Sequence, residues 1–193
     1  NKTIYTQMAN SIKQTLSYFT LGHEYSYENQ GKNLGITPIS DLMGKIVFIA
    51  DKSNPLFEQT ELDEYINLAS NSMFMRALRY TDGLLNSQDQ SELTDFNKKC
   101  MSIILPDLSS SDDNYAPQLA WTTGCQMAAM CFQNFDVNME TYSAYFAKSG
   151  SAFILKPAAL RYIPVTIPDA TQQNPNYSYA NRTTSTDYYS ITI

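Results

Sequence analysis

From Ile4 to Phe19 the apolar residues fall at Ile4, Tyr5, Met8, Ile12, Leu16 and Phe19. Steps of three and four draw one helical face, so the chain opens with an amphipathic helix that Gly22 stops. The next stretch, Glu24 to Leu34, is polar, holds Gly31 and Asn33, and predicts a surface loop. Ser40 and Asp41 can cap a short turn leading to Gly44. The pattern then changes. Lys45 to Ala50, KIVFIA, has no polar residue after the lysine, which suits a strand buried on both faces in a parallel sheet. Asp51 to Pro55 marks a loop at its C-terminal end. Tyr65 to Ala69 reads as a second strand and Met73 to Tyr80 as a helix. Asp82 to Gln90 is polar and reads as flexible. Ser91 to Lys99 predicts a helix capped by Ser91, with Leu93 and Phe96 inward. Met101 to Leu105, MSIIL, is a third strand that Pro106 stops, followed by the loop Asp107 to Asn114. The apolar run Gly124 to Phe135 is too short for a bilayer and too continuous for a surface helix, so it holds a fourth strand. Asn138 to Lys148 has helical spacing, and Ala152 to Leu155 is a short β-rich run closed by Pro157.

The expected fold class is α/β. Four apolar strands with intervening connections amount to half of a (β/α)8 barrel. The expected organisation is a half-barrel over residues 1–163. The tail, 164–193, is rich in Tyr, Thr, Ser and Asn without helical periodicity. It is an extended arm or the start of a further β domain. The chain begins with Asn1 rather than Met and reads as a piece of something longer.

Composition removes several classes of function. The net charge is −6 without a Lys/Arg cluster, which argues against nucleic acid and against anionic membranes bound by charge. Three cysteines, Cys100, Cys125 and Cys131, form no CxxC pair. They read as free buried thiols in a reducing compartment. Cys125, Met127, Met130 and Cys131 fill a strand in the core better than they bind a soft metal. No run approaches the roughly 20 residues of a membrane span. Asp107, Asp112 and Asp113 with Ser109 to Ser111 crowd oxygen ligands onto one loop, but their spacing matches no calcium loop. Asn176 and Asn181 open glycosylation sequons with no secretion signal beside them. No internal repeat, GxSxG, P-loop or GxGxxG pattern occurs.

One ordered series of motifs is more specific. Met101-Ser-Ile-Ile-Leu-Pro106 leads to Asp112-Asp-Asn-Tyr-Ala-Pro117, then to Trp121-Thr-Thr-Gly-Cys-Gln-Met127 and Cys131-Phe-Gln-Asn134. Ser149-Gly-Ser-Ala-Phe-Ile-Leu-Lys-Pro157 and Leu160-Arg161 complete it. Order and spacing resemble the Y half of the phosphoinositide-specific phospholipase C barrel, with its SSNYxP, WNxGCQxVALNFQT and NGGxGYVLKPxxLR segments. Upstream, Leu42 to Phe48 is similar to the family's LKGKILL strand, and Arg76-Ala-Leu-Arg79 to its RALRL helix.

The resemblance implies that this chain supplies the last four strands of a barrel whose first half lies before Asn1. It also implies that the catalytic histidines and a Ca²⁺ held by Asn, Asp and Glu lie in that upstream half. The full-length parent would be the Ca²⁺ enzyme; this chain holds no catalytic residue and no metal ligand. Its single histidine, His23, reads as a solvated loop residue. What remains here is the substrate wall, expected from Asp51, Lys52, Asn71, Asp107 and Asn114. These positions depart from the family. Its two phosphate-gripping lysines align with Ile49 and Asp51, its serine with Asn71, and its Arg-x-Tyr with Ile103 to Leu105. No Lys or Arg occurs between Met101 and Phe146, so a polyphosphorylated headgroup pocket is not expected from this half. Two functions follow. One is the substrate wall of a phosphodiester hydrolase acting on an unphosphorylated or differently decorated substrate. The other is an inactive barrel kept as a structural or assembly protein, for instance of a large virus particle, with its tail pairing to a neighbour.

Overall fold

Helix α1, Lys2–Thr15, packs Ala9 and Ile12 against Tyr27, Phe57, Leu62, Ile66 and Ala69. It ends earlier than the apolar periodicity predicted. Turns carry the chain from Leu16 to Thr20, which bridges in parallel to Ile46. This computed structural model describes residues 2–29, 31–108, 111–171, 177 and 181–192. The chain divides into two units, Asn1–Tyr162 and Ile163–Ile193.

In the first unit, short parallel strands run through the core. β1 (Ile49–Ala50) pairs with β2 (Leu68–Ala69). β3 (Met75–Arg79) pairs along its whole length with β4 (Met101–Leu105), and β4 pairs with β5 (Met127–Ala128). The fold is therefore α/β with parallel sheets, as expected. The regular pairing of β1, β2 and β5 is shorter than their apolar runs, because loops take over where neighbouring strands diverge. Around Ile104, a second core gathers Leu84, Leu93, Tyr115, Ala120, Cys125, Met130 and Met139. A third, around Leu68 and Met75, draws in Val47, Met101, Ile103 and Met127 from the strands.

Several expectations are corrected. Met73 to Tyr80 is not a helix: Met75 to Arg79 lie in register with Met101 to Leu105. Eight residues are too few for local helix propensity to compete with a complete ladder of hydrogen bonds to a buried neighbour. Asp82 to Gln90 is not wholly flexible either. Tyr80–Leu85 forms a π-helical turn that plugs the fully buried Leu84 into the core. Helix α2, Gln90–Lys99, is capped by Asp89 rather than Ser91, the Asp89 carboxylate accepting from the Glu92 N–H at 2.9 Å. After α3 (Gln118–Thr122) and β5 comes α4 (Val137–Ser149), which starts at the Asp136 cap and ends at Gly150 with φ 61°. Ala152 to Leu155 is extended but joins no sheet, and Phe153 and Leu155 are exposed.

The second unit holds an antiparallel hairpin, β6 (Thr183–Ser185) with β7 (Ser190–Thr192), exposed throughout. Asn181 of the second sequon is exposed, while Asn176 lies outside the described residues, as do Ser109 and Ser110 of the proposed oxygen-rich loop.

Candidate functional site

Within each parallel sheet, β1-β2 and β3-β4-β5, the strands end on the same side, and the polar side chains just past those ends bond to their neighbours. The Asp51 carboxylate, just past β1, accepts from the Ser53 N–H at 2.9 Å, from the Ser53 hydroxyl at 2.7 Å and from the Ser70 hydroxyl at 2.9 Å. Ser70, just past β2, accepts in turn from the Lys52 N–H at 2.7 Å. The Ser53 backbone donor, then the two hydroxyls, and more weakly the charge of Arg79, hold Asp51 below the usual carboxylate range against a small cost of burial. Next along the chain is Asn71, exposed and in the left-handed region at φ 55°. Asparagine tolerates that conformation better than most residues.

In the other sheet, β3 ends in a cation. Arg79, its last residue, donates Nη1–H to the Pro106 carbonyl at 2.6 Å, tying the end of β3 to the end of β4. Beside it Asp107 accepts from both the N–H and the hydroxyl of Thr81. The Thr81 hydroxyl first, then its N–H, then Arg79 lower the Asp107 pKa. Arg79 was absent from the sequence-predicted wall because its segment reads as a helix. The signal that could have found it is the matching length of MRALR and MSIIL, two five-residue runs each ending before a turn.

Two predicted wall residues serve elsewhere. Lys52 turns its ammonium to Glu58 at 3.0 Å and over the Tyr27 ring at 4.9 Å. Asn114 is buried and wholly committed to the backbone. Its carboxamide accepts from Cys131 N–H at 2.6 Å and donates to the Asn134 and Cys131 carbonyls at 2.9 and 3.3 Å, while its own N–H donates to Asp136 at 2.8 Å. It clamps the loop before α3 to the start of α4 and is no part of an open wall. Asp51 thus lies with Ser70 and Asn71 just past β1 and β2, Asp107 lies with Arg79 and Thr81 at the ends of β3 and β4, and Asn114 lies apart from both. His23 lies 3.4 Å from Glu64, both well exposed. Among the described residues no three His, Cys, Asp or Glu side chains converge to hold a metal ion.

Behind these strand ends, the motif residues lock the strands. Gln126 accepts from the Ser102 N–H at 2.8 Å and donates to the Asn97 and Cys100 carbonyls at 2.9 and 2.8 Å. Asn97, fully buried on α2, donates to the Thr123 carbonyl at 2.9 Å and accepts from the Ser102 hydroxyl at 2.6 Å. Lys156 reaches the Asn97 carbonyl at 2.8 Å, its pKa lowered by burial. One network therefore joins α2, β4, β5 and the extended 152–157 segment. Gln126 and Lys156 thus have a structural task inside the motif, bonding backbone groups of α2 and β4.

Comparison with known proteins follows this geometry. The family described as phosphatidylinositol-specific phospholipase C, Y domain, matches residues 52–159, more than half of the chain. Human 1-phosphatidylinositol 4,5-bisphosphate phosphodiesterase beta-2 is 39% identical over 40% of this chain, which spans 7% of that protein. The bovine beta-1 protein is 34% identical over 54% of this chain, which spans 9% of it. Among solved structures, L. pealei PLC21 matches with a TM-score of 0.54 at 22% identity, over 72% of this chain and 25% of that one, which supports the phospholipase C barrel fold. No helix among the described residues is long and apolar enough to cross a membrane. With parallel strands, motif order and matched residues in agreement, this chain belongs to the phosphatidylinositol-specific phospholipase C family, as its Y domain.

Proposed function

We propose that this chain is the substrate wall of a phospholipase C-type phosphodiester hydrolase. Its parallel strands would form part of a barrel completed by an upstream X half that carries the catalytic groups. The observation that supports this is the run of polar residues just past the parallel strands: Asp51 bonded to Ser70 after β1 and β2, and Arg79 and Asp107 at the ends of β3 and β4. Barrel enzymes keep their sites at that end. The relatives are named for cleaving a phosphatidylinositol 4,5-bisphosphate phosphodiester, so an inositol lipid is the substrate class. Cleavage needs a base for the attacking hydroxyl and an acid for the leaving oxygen. These strand ends supply neither; they supply hydrogen bonds and charge that orient the headgroup. Ca²⁺, held by the X half, would supply charge stabilisation at the phosphate.

The test is hydrolysis of phosphatidylinositol vesicles by the full-length protein with Ca²⁺, read as release of a water-soluble inositol phosphate. Release above a no-enzyme control that chelation abolishes is the expected result. No release at any Ca²⁺ concentration rejects the hydrolase. A second reading, an inactive barrel retained for assembly, is favoured by one feature. Lys52, the cation next to the family's phosphate-gripping position, is already neutralised by Glu58. Absence of turnover together with stable association between copies or with a partner protein would select that reading.

A further inference from the structure

We draw no further inference here: the strongest candidate, the exposed apolar side chains Phe132, Phe135 and Val137 on the connection from β5 into α4, carries nothing because nothing in the structure shows what covers them.

Discussion

Replacing Gln126 by leucine keeps most of the side-chain volume and removes the bridge at the centre of the core network. Three hydrogen bonds disappear, to Ser102 N–H, to Asn97 C=O and to Cys100 C=O. Each is worth about 1 kcal/mol net, but the partners fare differently. The Asn97 carbonyl keeps its bond to Lys156. Cys100 is half-buried, and its carbonyl can turn toward water. Ser102 is fully buried, so its N–H is left without a partner, which adds about 1–3 kcal/mol. The expected loss is about 3–5 kcal/mol, a large part of the 5–15 kcal/mol that holds an ordinary domain together. Urea unfolding of the full-length protein, with the transition of this barrel followed by hydrogen exchange at Ser102 and Gln126, is the assay. Gln126→Glu sharpens it. The acceptor for Ser102 survives, but at neutral pH a carboxylate faces two carbonyl oxygens; the penalty should shrink in acid, where a proton can be donated to one of them. A loss below about 1 kcal/mol for Gln126→Leu, with unchanged denaturant slope, would refute the claim that this carboxamide joins α2 to β4 and β5.

Other expectations follow from single contacts. Asn114→Ala should cost about 2–3 kcal/mol, measured by chemical denaturation, because it frees Cys131 and Asn134 from the clamp. Unchanged stability would contradict the clamp. Gly35→Ala should lower stability by about 1–3 kcal/mol, since a Cβ there would sit 2.4 Å from the Lys99 carbonyl oxygen and 2.9 Å from Cys100 Cα, both backbone atoms; a neutral thermal melt would contradict this packing of the Leu34 turn on α2. Acid should weaken the strand-end contacts. Asp51 and Asp107 both have folded pKa values below the ordinary 3.8, so the stability they contribute is present above that value and lost as pH falls through their lower folded values. A pH titration from neutrality to about pH 2 should show a loss confined to the acid end, and Asp51→Asn should flatten it.

Arg79 shows why the wall was only partly legible in the sequence. MFMRALRY contains no proline or glycine and has residues that suit a helix. What made it a strand was register with Met101 to Leu105, a partner 26 residues away along the chain at Met75 and Met101. Local pattern does not report such pairing. Asn114 fails in the opposite sense. On a polar loop it reads as solvent-facing, but folding wraps Cys131, Asn134, Asp136 and Asn138 around it. Lys52 reads as a free cation because the sequence does not reveal that Glu58 and Tyr27 close over it.

The sequence by itself determined the α/β class, strand β4 to its end residues, helix α4 and the family, because buried apolar runs, prolines and ordered motifs are written locally. It also determined that the stretch from Met101 to Phe146 carries no Lys or Arg, since composition does not depend on folding. Only the tertiary structure decided which side chains meet. Arg79 comes to meet the Pro106 carbonyl because β3 and β4, distant along the chain, run in register to their last residues. Gln126 and Lys156 bond the backbone of Asn97, Cys100 and Ser102 because buried backbone groups that water cannot reach must be bonded by whatever side chain folding brings to them.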